Sequence, residues 1–67
     1  MDNKTIYNHL KAKYSLIYKD ICDLTHAKPG TVFAWNKRNT IGDAELELMC
    51  IKLGENYWEL KNDIQSR

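Results

Sequence analysis

The stretch KDICDLTHAKPGTVFAWNKR (Lys19–Arg38) carries apolar residues at helical spacing on both sides of a Pro29-Gly30 pair. Pro-Gly ordinarily marks a break between elements. Proline is also favoured at the first position of a helix, where its missing N–H would have no partner and its φ is already helical. The residue before a proline is pushed out of helical geometry, so the preceding helix must finish by Lys28. Lys19–Arg38 therefore reads as helix, short turn, helix. That is the order of a helix-turn-helix, whose second helix lies in the DNA major groove.

Working outward, Ile6, Leu10 and Tyr14 sit four apart and predict a first helix near residues 3–13, capped by Asp2 or Asn3. Tyr18, Ile21, Cys22 and Thr25 share one face of a second helix, about 17–25, and Val32 and Trp35 mark the inner face of a third, about 29–37. In IGDAELELMCIKLG, Asp43 is the expected N-cap, Leu46, Met49, Cys50 and Leu53 form an apolar stripe, and Gly54 stands just past the helix end. Asn56 is placed to cap a last helix, about 56–64, with Tyr57, Leu60, Lys61 and Ile64 on one face. Strand signals are poor, with no sustained alternation bounded by turn residues. The expectation is an all-α fold: one compact bundle of about five short helices over residues 1–67, containing a helix-turn-helix, with Ile21, Leu24, Val32, Trp35, Leu46, Met49 and Leu53 in its core.

A chain of 67 residues makes one domain. At this size about 60% of the unfolded surface is buried, and oligomerisation is a common remedy for the marginal stability that follows. Its start at Met1 and polar end are expected to mark a whole chain, and nothing in it reads as a membrane span or signal peptide, so a soluble cytoplasmic protein is expected. The formal net charge is only +1, but it is unevenly spread. Residues 1–42 hold Lys4, Lys11, Lys13, Lys19, Lys28, Lys37 and Arg38 against Asp2, Asp20 and Asp23, a local +4. Residues 43–67 hold Lys52, Lys61 and Arg67 against Asp43, Glu45, Glu47, Glu55, Glu59 and Asp63, a local −3. One basic side is what a DNA-facing domain shows, and a merely dipolar surface shows it too.

No chemistry-bearing constellation stands out. Cys22, Cys50, His9 and His26 lack zinc-ligand spacing, and the two cysteines read as small apolar residues, so no metal or cofactor is expected. Paired carboxylates, a nucleophile motif and a phosphate loop are all missing from the sequence, which argues against an enzyme and a small-molecule ligand.

The segment DICDLTHAKPGTVFAWNKRNTIGDAELELMCIKLGENYWEL resembles the DNA-binding domain of phage CI-type repressors, in the lambda-repressor-like superfamily. The likeness is carried by Asp20, Ile21, Cys22, Asp23, Pro29, Thr31, Val32, Trp35, Arg38, Ile41, Leu53 and Gly54, and by a final pair, stretched by one residue, at Trp58 and Leu60. It spans about residues 17–60. Three positions depart from it. His26 replaces the usual glycine at a left-handed turn, Thr25 replaces an apolar residue, and Lys28 replaces a serine cap. The resemblance implies a Cro-sized transcriptional regulator of a phage or mobile-element operon, acting on double-stranded DNA at the nucleoid of a bacterial host.

With Val32 and Trp35 inward, Lys28, Gly30, Thr31, Phe33, Ala34 and Lys37 fall on the exposed side of the third helix, and Arg38 at its end. Gly30 and Ala34 are small enough to let the backbone approach a groove. Lys28, Thr31, Lys37 and Arg38 are candidate phosphate or base contacts. Lys37 and Arg38 are equally suited to offset the helix dipole. Phe33 either packs on thymine methyls or folds back over the edge of the core. Tyr57, Trp58, Leu60 and Ile64 are more apolar groups than one short terminal helix buries, which predicts a homodimer through that helix. A two-fold dimer would set two reading helices about one DNA turn, ~34 Å, apart on a palindromic operator. Two alternatives stay open at this point: a protein-interaction module on the same scaffold, and a recombination-accessory or excisionase-like DNA-binding protein.

Overall fold

Asp2 begins the first helix: its carboxylate accepts the N–H of Thr5 at 2.8 Å, satisfying one of the orphan donors of a helix start. The computed structural model describes residues 2–38 and 40–63. Helix α1 runs Asn3–Tyr14 and ends on Ser15 in the left-handed region, at φ 53°. Its three- and four-residue spacing puts Ile6, Tyr7 and Leu10 on one face, and all three are fully buried. Helix α2 (Tyr18–Thr25) starts where the Asp20 carboxylate accepts the Ile17 N–H at 3.0 Å. Helix α3 (Pro29–Arg38) begins on the proline, as the sequence requires. Helices α4 (Asp43–Leu53) and α5 (Tyr57–Asp63) complete an all-helical bundle.

Helix α4 is the hub, packed against α1, α2 and α5, while α3 packs on α2. The core joins Ile6, Tyr7, Leu10, Ile21, Val32, Trp35, Ile41, Leu46, Met49, Cys50 and Tyr57, with Leu24, Leu53 and Leu60 half-buried against it. Complete burial of one such aliphatic side chain stabilises by about 1.5–3 kcal/mol. Both cysteines are free, and burial pushes the Cys50 thiol up to about 11. Among the described residues, no helix is long and apolar enough to cross a membrane, and no three metal-ligating side chains cluster.

Two expectations change. Gly42, not Asp43, is the N-cap of α4, with extended backbone at φ −80° and ψ 164°. Asp43 is drawn elsewhere: its carboxylate accepts from Asn3 Nδ2 at 2.6 Å and from the Tyr57 hydroxyl at 3.0 Å. Lys61 Nζ lies 3.5 Å away, and the Asn3 and Tyr57 hydrogen bonds with the Lys61 charge hold the Asp43 carboxyl below its ordinary range. Tyr18 is also not on a buried face. It is 37% exposed, while Ile21 and Thr25 of the same helix are buried.

Candidate nucleic-acid interface

The turn between α2 and α3 is closed by the residues that depart from the repressor pattern. Thr25 is buried, yet its hydroxyl is satisfied: it donates to the Ile21 carbonyl at 2.7 Å and accepts the Ala27 N–H at 3.3 Å. A hydroxyl here ties the helix end to the turn, where an apolar residue would only fill space. His26 adopts φ 59°, a left-handed conformation that histidine tolerates better than bulky or branched residues. Its Nε2 lies 3.0 Å from Lys52 Nζ on α4. The ammonium has only protons to give, so this contact requires the lone pair on Nε2 and the proton on Nδ1. The Lys28 carbonyl accepts from Thr31 N–H at 3.0 Å and from Val32 N–H at 3.1 Å, so Lys28 serves as the backbone cap while its side chain remains exposed.

Helix α3 is anchored by one side and open on the other. Val32 is fully buried, and Trp35 meets the edge of Tyr7 in a T-shaped contact, centroids 6.4 Å apart. The Tyr7 hydroxyl donates to Asn36 Oδ1 at 2.8 Å, and Lys11 Nζ donates to the same oxygen at 2.9 Å. Lys11 also sits 4.7 Å above the Tyr7 ring. Two donors converging on one atom fix the amide orientation, and among the described residues the Asn36 NH2 makes no hydrogen bond. Burial pushes the Tyr7 hydroxyl up to about 12.

On the open side, Gly30, Phe33, Ala34 and Lys37 share a line by helical spacing, and Thr31 and Arg38, seven apart, lie along one flank. All are exposed except Ala34, which is half-buried. A Cβ added to Gly30 would meet nothing within 4 Å, so the helix surface is bare there. Helix α3 carries no acidic residue, and its basic residues Lys37 and Arg38 stand in its last turn. Among the described residues, no ion pair occupies Lys28, Lys37 or Arg38. Phe33 is 51% exposed and leans on the exposed Tyr18 ring, centroids 5.1 Å apart and tilted 48°. It is not among the side chains packed against the core.

The α4–α5 face differs in charge and in what it offers. Tyr57 is buried, and its hydroxyl donates toward Asn3 Oδ1 and Asp43 Oδ1 at 3.1 and 3.0 Å while accepting from Lys61 at 3.0 Å. The expectation that Tyr57 meets a second copy is therefore corrected: α1 and α4 already cover it. Leu60 is half-buried against the core, Trp58 is 59% exposed, and Ile64 lies outside the described residues. Trp58 donates its indole N–H to Glu47 at 3.2 Å, beside Ile51, which is 67% exposed. Glu47, Ile51, Glu55 and Trp58 line one shallow groove.

Sequence reasoning missed Tyr18 and Asn36 at the α3 surface and Ile51 on the α4–α5 face. Ile51 was recognisable, since it stands on the opposite side of α4 from the Leu46–Met49–Cys50–Leu53 stripe. Asn36 was not, because its partners come from α1. The chain matches no protein-family model, no curated protein and no solved structure.

Proposed function

We propose that this chain is a sequence-specific DNA-binding transcriptional regulator, a repressor of a phage or mobile-element operon in the cytoplasm of a bacterial host. In this reading α3 enters the major groove and a homodimer engages a palindromic operator. The observation that carries it is the open side of α3: bare at Gly30, free of acidic residues, and bordered by Lys28, Lys37 and Arg38 with no ion-pair partner among the described residues. Such an arrangement suits a polyanion approached closely by the helix backbone. The α4–α5 face serves the opposite role, contact with a second copy through the exposed apolar side chains of Trp58 and Ile51. Repression by occupancy needs only the bound dimer.

Anisotropy titrations with a labelled duplex at two salt concentrations test the reading. Binding through several phosphate contacts weakens steeply with salt, and replacing Lys37 and Arg38 together by alanine is expected to reduce the log–log salt slope by about 2. An absence of binding at low salt would contradict the proposal and favour a protein-interaction module.

A further inference from the structure

Phe33 and Tyr18 are the one aromatic pair of the described residues with both rings substantially exposed. In sequence the pair is flanked by Lys19 and Asp20 after Tyr18 on α2 and by Gly30 and Lys37 on either side of Phe33 on α3, with Gly30 one turn before Phe33. A phenyl ring has no donor or acceptor, so it cannot read the polar pattern of a base edge. The single apolar group on any base edge in the major groove is the C5-methyl of thymine.

We propose that Phe33 reads a thymine C5-methyl and that Tyr18 is its positioning residue. This rests on the DNA-binding reading above. An exposed phenylalanine on a helix samples several rotamers and loses that freedom on docking. The Tyr18 ring, 5.1 Å away, restricts Phe33 before DNA arrives. The Tyr18 hydroxyl makes no hydrogen bond among the described residues, so the ring alone performs this task.

The test starts from duplexes selected by the wild-type protein out of a random pool. Each thymine is then replaced in turn by uracil, which deletes only the methyl group. At one thymine per half-site the wild-type protein is expected to bind about four-fold more weakly, the factor that withdrawing one methyl from water supplies. Phe33→Ala abolishes this thymine–uracil difference. Tyr18→Ala reduces it, while Tyr18→Phe retains it, which separates positioning from any hydroxyl contact. If no duplex is bound at all, the DNA-binding reading itself fails. If duplexes are bound but uracil is neutral throughout, or the discrimination survives in Phe33→Ala, the methyl-reading inference is overturned and DNA binding stands. An unchanged ratio in Tyr18→Ala removes the positioning role. The uracil series on the wild-type protein needs no variant to fold.

Discussion

Two aromatic pairs, each with ring centroids 5.1 Å apart, sit in the two halves of this molecule and are held in different ways. Tyr57 of the Tyr57–Trp58 pair is buried and roped by hydrogen bonds to α1, α4 and its own helix. Tyr18 and Phe33 are 37% and 51% exposed and meet ring to ring. At the first pair Lys61 lies 5.2 Å over the Tyr57 ring and Glu47 accepts the Trp58 indole N–H; the second shares helix α3 with the exposed Lys37 and Arg38. The same ring separation, tilted at 48° in one pair and edge-on at 70° in the other, thus serves structure in one half and remains available in the other. Tertiary partners, rather than ring contact, make the difference.

Truncating the two tyrosines should break the symmetry most visibly. Tyr57→Ala removes a core aromatic and is expected to cost about 3–5 kcal/mol, a large part of the roughly 3–10 kcal/mol that a chain of this size holds. Tyr18→Ala, by contrast, should cost less than about 1 kcal/mol. Urea unfolding of the two variants measures both, and equal losses would erase the distinction.

The next largest effect concerns assembly. Ile51→Ser combined with Trp58→Ser is expected to shift sedimenting species from dimer to monomer and to remove any dependence of Tm on protein concentration. The helical circular dichroism should be unchanged, because neither side chain belongs to the core.

A smaller loss, about 1–3 kcal/mol, is expected for Thr25→Val, which strips the Ala27 N–H of its hydroxyl acceptor in a partly buried turn. Thermal melts of Thr25→Val and Thr25→Ser measure it, with serine retaining most of the stability.

The pH response should be the mildest. Tyr7 and Cys50 ionise later in the folded chain, at about 12 and 11 against ordinary values of 10.0 and 9.0. Their contribution is whole below about pH 9 and is lost as pH rises through 9 to 12. Hydrogen bonds to Lys13 and Tyr14 hold Glu55 below its ordinary 4.5, so that contribution is present above this value and lost as pH falls through the lower folded value. Melts across both ranges check the two signs; Cys50→Ala should delay the alkaline loss.

Much of the bundle was legible in the residues. Pro29 dictated where α3 begins, His26 stood at the left-handed turn, and Asn56 caps α5 by accepting the Glu59 N–H at 3.0 Å. These are local decisions made within a few residues. The N-cap of α4 was not legible, because glycine and aspartate are both good caps and the Asp43 carboxylate was claimed by Asn3 and Tyr57. Nor did spacing reveal that Tyr57 is covered within the chain, since its partners lie 54 and 14 residues away. The candidate site followed the same division. The exposed residues of α3 came from helical periodicity, whereas Tyr18 and Asn36 joined them only through packing.

Amide NMR spectra of the chain, recorded while a selected duplex is added, test the central claim most directly. Perturbed resonances are expected to gather at Lys28–Arg38 and around Tyr18, with those of α4 and α5 moving little once the dimer has formed. Perturbations centred on Glu47, Ile51 and Trp58, with α3 silent, would contradict the assignment of the α3 face to DNA.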